Sequence, residues 1–195
     1  MLNLLRNCRN LVRLCAAGER VYSLPAYALG LVLARSNCGP GPVAWLRGWP
    51  GPRIDAREGS VELGHVALYP GVKLQCLRGG RISVGDGSFV NHHTRVRSRS
   101  EVRIGRQCMV SWEVLITDFA GFSDGERCAP VRIGDNCWIG AKALILGGTI
   151  LGDGCVVAAG AVVQGEFPAG KVIAGEPSEV SAQRVVAAFP DQSQR

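Results

Sequence analysis

The sequence predicts an all-β chain wound into a triangular solenoid, a β-helix of six-residue repeats, and three observations lead there. Ile133, Ile139, Ile145, Leu151, Val157 and Val163 recur at a spacing of six. A second register of small side chains, Ser88, Thr94, Ser100, Cys108, Ala120, Cys137, Ala143, Thr149, Cys155 and Ala161, stands four residues after most of the anchors. Composition agrees: 26 glycines and 6% aromatics in 195 residues suit stacked small and β-branched side chains better than a globule built on Phe and Leu packing.

Residues 1–60 read as an N-terminal helical and linker segment. Leu2–Ala17 is patterned as a basic amphipathic helix, which either covers the end of the prism or attaches to an anionic membrane surface. The apolar run Leu24–Ala34 is too short to span a bilayer. Pro40, Pro42, Pro50 and Pro52 then lead the chain into the first coil.

Residues 61–177 carry the repeats. Val66 and Val72 are in phase with Val84, Val90 and Val96, with Arg78 interrupting, and Ile104, Val110 and Ile116 follow. Each hexad forms one flat face with its anchor inward, and three faces close a turn. Gly85, Gly105, Gly134, Gly140 and Gly152 stand just after anchors, where side chains would crowd. The phase slips by eight residues from Val96 to Ile104 and by seventeen from Ile116 to Ile133, and slips mark loops. The second holds Asp118–Pro130, an excursion from the wall of the kind that lies on the binding face in repeat folds. Residues 178–195 read as a short helix over Ser178–Phe189, with Ser178 as N-cap, and a tail.

The net charge of +6 comes without aromatic interleaving, helix-turn-helix, zinc-knuckle or RNP pattern, so no nucleic-acid partner is expected. The basic residues either meet the phosphates of a cofactor or form solvated faces. Eight cysteines without paired spacing, CxxC or Cys/His pattern argue for a reducing, cytoplasmic setting and no metal. Cys108, Cys137 and Cys155 then become small buried hydrophobes.

Ile133-Gly-Asp-Asn-Cys-Trp-Ile-Gly-Ala141, Ile150-Leu-Gly-Asp-Gly-Cys-Val-Val-Ala-Ala-Gly-Ala-Val-Val163 and Ala174-Gly-Glu-Pro177 closely resemble the hexapeptide-repeat acetyltransferases, in the maltose, galactoside and polysaccharide O-acetyltransferase branch. The resemblance implies a left-handed parallel β-helix, a homotrimer, and acetyl-coenzyme A lying in a groove between neighbouring subunits. It assigns Trp138 to the pantetheine channel, and the coil backbone at Ala141 and Ala159, with Gly140 beside it, to the pantetheine amides. Asn91 of Phe89-Val-Asn91 matches an asparagine that contacts the acceptor hydroxyl. On the bland side, Trp138 packs on the next coil and Asn91 caps a turn.

Two departures stand out. Gly165 occupies the place of a lysine that meets cofactor phosphate, leaving Lys142 or Lys171 to substitute. The family's catalytic histidine falls at Gly121 or Phe122, neither of which exchanges protons.

The function expected is acetyl-coenzyme A-dependent O-acetylation of a hydroxyl on a sugar, nucleotide sugar or polysaccharide precursor. The alternatives are amino-sugar N-acetylation and a non-catalytic scaffold. His65, His92 and His93 are the available imidazoles. His65 lies at the start of the prism. In an extended hexad side chains alternate, so Asn91 and His93 share a face, making His93 the expected base. Asp118 is expected to orient it or to serve as base itself.

Overall fold

Each aliphatic anchor stands in a strand of two to four residues, after which the chain turns through one corner and begins the next face. The computed structural model describes residues 45–46, 51–119, 128–175 and 179–183. The segments Leu2–Ala17 and Leu24–Ala34 lie outside the described residues. The first face stacks Trp45–Leu46, Ala67–Leu68, Phe89–Val90, Met109–Val110, Trp138–Ile139, Val156–Val157 and Lys171–Ala174. The second stacks Arg53–Asp55, Lys73–Cys76, Arg95–Ser98, Leu115–Thr117, Leu144–Ile145 and Val162–Val163. The third stacks Ser60–Leu63, Arg81–Val84, Glu101–Ile104, Val131–Ile133, Ile150–Leu151 and Glu166–Phe167. Every strand of the solenoid pairs in parallel with its counterpart one coil on. This is the parallel β-helix of hexapeptide repeats that the sequence predicts. Among the described residues no helix is long and apolar enough to cross a membrane.

The core is a set of in-register columns. Val90, Val110, Ile139, Val157 and Ile173 fill the first face, Val96, Ile116, Ile145 and Val163 the second, and Ile104, Ile133 and Leu151 the third, all buried. The small-residue register is equally real: Ser88, Cys108, Cys137 and Cys155 form one buried column between the third and first faces. Each Cys thiol of that column donates to a carbonyl of the next coil, at Gly134, Gly152 and Pro168 respectively, and Ser88 Oγ does the same to Gly105. Cys76 is buried too, and burial pushes its thiol up to about 11. These are core residues, as expected.

The early coils depart from a strict hexad. Val66 and Val72 are buried, but in register with Ser88 and Thr94; the anchors of that coil are Leu68 and Leu74, which pair with Val90 and Val96. The cause is coil width. The step from Leu68 to Val90 is 22 residues and from Ile139 to Val157 it is 18. After Arg53–Asp55, the early strands on the second and third faces are four residues long with two inward side chains each, such as Leu74 with Cys76 and Ile82 with Val84. A wider cross-section takes a larger side chain in the small-residue column. Arg78 is accordingly not a failed anchor but a corner residue, at φ 53°. The slip from Val96 to Ile104 likewise comes from two four-residue strands, Arg95–Ser98 and Glu101–Ile104, meeting at a corner and is not a loop.

Both ends correct the expected boundaries. The first coil begins with Trp45–Leu46 and Arg53–Asp55, before residue 61. Glu179–Gln183, expected within a helix, is a strand antiparallel to Lys171–Ala174. A solenoid's last coil leaves a row of unpaired backbone groups, and a returning strand satisfies them where a helix would not.

The glycines after anchors answer to close packing. A Cβ on Gly105 would stand 2.5 Å from the carbonyl oxygen of Gly134 in the next coil, and one on Gly140 would stand 2.5 Å from the Ala159 nitrogen. Gly105→Ala is therefore expected to destabilise the fold by about 1–3 kcal/mol in urea unfolding. Cys137→Ser should lie within about 1 kcal/mol of wild type, because a hydroxyl there reaches the Gly152 carbonyl as Ser88 reaches Gly105.

Candidate functional site

The corner between the first and second faces stacks four-residue turns: Tyr69–Val72, Asn91–Thr94, Ser111–Val114, Gly140–Ala143 and Ala158–Ala161. Their third positions, Gly71, His93, Glu113, Lys142 and Gly160, all have positive φ. From His93 on, the N–H of each donates to the second residue of the turn below: His93 to Pro70, Glu113 to His92, Lys142 to Trp112 and Gly160 to Ala141. His92, Trp112, Ala141 and Ala159 therefore form one outward column with a spacing of roughly 4.8 Å per coil.

The corner between the third and first faces is built alike but closed differently. There three aspartates each take the N–H of the coil below: Asp86 Oδ1 accepts from His65, Asp135 Oδ1 from Arg106, and Asp153 Oδ1 from Asp135. Hydrogen bonds from the Arg106 backbone and guanidinium hold the Asp135 carboxyl below its ordinary range. In the first corner the equivalent positions are Ala141 and Ala159, which carry no acceptor. Within the described residues, the N–H groups of Trp112, Ala141 and Ala159 have no hydrogen-bond partner. Three backbone donors one coil apart are thus available to a ligand.

Aromatic surface flanks them. Trp112 and Trp138 are 53% and 47% exposed, and Trp138 Nε1 reaches Ser111 Oγ at 3.4 Å. Below them stands His92, its ring 5.1 Å from Tyr69. Its Nδ1 lies 2.6 Å from Asn91 Oδ1, the atom that also accepts the His92 backbone N–H at 2.8 Å. Asn91 and His93 therefore do not share a face as expected. Residues 91–94 turn a corner, with His93 at φ 59°, so strand alternation does not hold and the amide meets His92 instead.

The structure gathers Asn91, His93, Gly140, Ala141, Lys142 and Ala159 at this corner, with Trp138 just before it on the first face. Lys142 pairs with Glu113 at 3.6 Å. Lys171 lies at the opposite edge of the first face, in register with Cys155. Asp118 is also elsewhere, beyond the second face and fully buried. Its Oδ1 accepts from Arg99 N, and its Oδ2 from Ser98 Oγ and Ser100 N, at 2.7–2.8 Å. With both oxygens committed to bracing the corner at Ser98–Ser100 below, Asp118 is not free to act as a base. Gly121 and Phe122 lie outside the described residues. Trp112 was missed, although it stands two residues after an anchor, as His92, Ala141 and Ala159 do.

Residues 130–164 match the family described as the hexapeptide repeat of succinyl-transferase. The chain is 31% identical over 140 residues to the putative lipopolysaccharide biosynthesis O-acetyl transferase WbbJ of Escherichia coli K12, covering 63% of this chain and 71% of that protein. It is 47% identical over 64 residues to a 2,3,4,5-tetrahydropyridine-2,6-dicarboxylate N-acetyltransferase of Staphylococcus aureus, covering 33% of this chain and 27% of the relative. Among solved structures, the hexapeptide-repeat acetyltransferase VCA0836 of Vibrio cholerae complexed with acetyl-coenzyme A is 25% identical with a TM-score of 0.52, covering 56% of this chain and 64% of that one.

Asp118→Asn keeps the shape but turns an amide N–H₂ toward backbone donors, and is expected to lower stability by about 2–3 kcal/mol, read as a fall in the urea midpoint.

Proposed function

Because the chain belongs to the hexapeptide-repeat acetyltransferase family, we propose that it transfers the acetyl group of acetyl-coenzyme A to a sugar hydroxyl at the corner between the first and second faces. The observation that carries this reading is the row of unpartnered N–H groups at Trp112, Ala141 and Ala159 beside two exposed indoles. Pantetheine is an extended arm with two amides separated by two methylenes. Carbonyls on such an arm suit donors that repeat along the coil stack at Ala141 and Ala159, and its methylenes suit the Trp138 face. Lys142 is the cation nearest these donors in the turn sequence, and Lys171 is a residue across the face from them. The WbbJ likeness supports a hydroxyl acceptor of the polysaccharide-precursor class. The N-acetyltransferase likeness favours a second reading, an amine acceptor.

His92 is our candidate for the base. Asn91 Oδ1 takes the His92 backbone N–H, which identifies it as the amide oxygen, and an amide oxygen only accepts. The imidazole proton then sits on Nδ1, and Nε2 carries the lone pair. In the proposed step, Nε2 takes the hydroxyl proton as the acceptor oxygen bonds to the thioester carbon. The tetrahedral oxyanion is held by a backbone donor, for which the Trp112 N–H is suited. Collapse breaks the C–S bond, and the imidazolium returns the proton to the departing thiolate. Like its family, the protein is proposed to act as a homotrimer, with a neighbouring copy forming the other wall of the groove.

Calorimetric titration with acetyl-coenzyme A is the first test, and wild type is expected to bind. Ala159→Asp should copy the closed corner: its carboxylate takes the Ala141 N–H as Asp153 takes that of Asp135. It is expected to abolish cofactor binding while leaving the urea midpoint unchanged or raised; undiminished affinity would place the groove elsewhere. His92→Ala is expected to lower kcat by about 10²-fold or more with cofactor affinity retained. If His93→Ala shows that loss and His92→Ala does not, the base is assigned wrongly. A wild type that binds cofactor but acetylates neither sugars nor amino sugars would favour the scaffold.

A further inference from the structure

The outward column that follows the first corner changes chemistry partway along its length. In register on the second face it runs Arg53, Lys73, Arg95, Leu115, Leu144 and Val162. Three basic residues occupy consecutive coils and are exposed; the later three are aliphatic and half-buried. The switch falls between the coil of His92 and the coil of Trp112. The aliphatic part runs beside the free N–H groups of Ala141 and Ala159, and the basic part begins beside the imidazoles and leads away from them.

Like charges directly opposite one another on adjacent strands are destabilising. Arg53 faces Lys73 and Lys73 faces Arg95 across neighbouring strands roughly 4.8 Å apart. Among the described residues none of the three has an ion pair. The acids nearest in the chain are engaged elsewhere: Asp55 is held by Arg57 at 2.8 Å, Glu58 accepts from Arg78 N, and Glu113 pairs with Lys142. A local arrangement that opposes stability without an internal partner is the kind found at binding sites.

We infer that Arg53, Lys73 and Arg95 form the subsite for a diphosphate on the acceptor, so that the sugar presented to His92 is carried by a diphosphate group. This rests on the proposed acetyl transfer at the first corner. Three cations in a row about two coil spacings long match the oxygens of two linked phosphoryl groups, and guanidinium groups bind such oxygens bidentately. The same diphosphate occurs on nucleotide sugars and on polyprenyl-linked sugars. In either case the reaction that supplies the acceptor is one that joins a sugar 1-phosphate unit to a phosphorylated carrier group, forming the diphosphate link.

The test uses inorganic pyrophosphate as probe in calorimetric titration of the full chain. Binding is expected, weakening about tenfold in Lys73→Ala and in Arg95→Ala. It should be unchanged in Arg132→Ala, which removes an exposed cation of the third face. The urea midpoints of Lys73→Ala and Arg95→Ala should equal or exceed wild type, because a repulsion is relieved. Coenzyme A affinity should not move in either variant. Displacement of pyrophosphate by UDP more readily than by farnesyl diphosphate would identify a nucleotide carrier, and the reverse a lipid carrier; either supports the inference. Absent pyrophosphate binding, equal losses in Arg132→Ala, or a parallel fall in coenzyme A affinity would overturn it, the last by showing that the ladder serves the cofactor. Failure of wild type to bind coenzyme A while pyrophosphate still binds at the ladder would remove the proposed transfer and leave the anion site standing.

Discussion

Everything in this molecule follows from one constraint: each coil hydrogen-bonds to the next in fixed register, so every residue sits above its own counterpart at a spacing of about 4.8 Å. A side chain is selected by its column more than by its neighbours in sequence. The column after the third-face anchors tolerates only glycine, because Gly85, Gly105, Gly134 and Gly152 each meet backbone or aspartate of the coil above. The Ser88, Cys108, Cys137 and Cys155 column takes a small side chain able to donate to a carbonyl. Such an architecture stacks modules whose interactions are with nearest neighbours, which lets one corner be changed without disturbing the others.

The two corners that bound the first face illustrate what that freedom permits. Both use a turn with positive φ at its third residue. At one, aspartates seal the backbone donors of the coil below. At the other, Ala141 and Ala159 leave those donors unpartnered. At the coils of Asp86, Asp135 and Asp153, the difference between the sealed corner and the proposed ligand-binding one is a single carboxylate. In the proposed complex, carbonyls of a bound arm spaced along the stack take the place of those carboxylates.

The solenoid was legible in the sequence because its period is short and its anchors are aliphatic. What was not legible has definite physical causes. Hexad counting assumes one inward residue per face, whereas Leu74 with Cys76 and Ile82 with Val84 put two there, which moved Val66 and Val72 into the wrong column. Glu179–Gln183 carries a local helical pattern, but the unpaired edge of the last coil selects a strand there. At the candidate site the motif residues were legible, and their side-chain directions were not. Alternation is a property of strands, and Asn91 through Thr94 is a turn. Asp118 reads as a loop acid only while the corner it braces is invisible.

The departure at Gly121 and Phe122 bears on how the proposed chemistry is organised. A base carried on an excursion from the wall has its position set by that excursion. His92 instead sits on the stack itself: its carbonyl accepts from Glu113 N, its backbone N–H and Nδ1 both meet Asn91 Oδ1, and its ring lies against Tyr69 of the coil below. Tautomer and ring orientation are therefore fixed by the same coil register that sets the donors at Trp112, Ala141 and Ala159. A proton acceptor and an oxyanion donor mounted one coil apart on a single rigid column need no closing motion to come into alignment, since the hydrogen bonds that form the fold hold them at their separation.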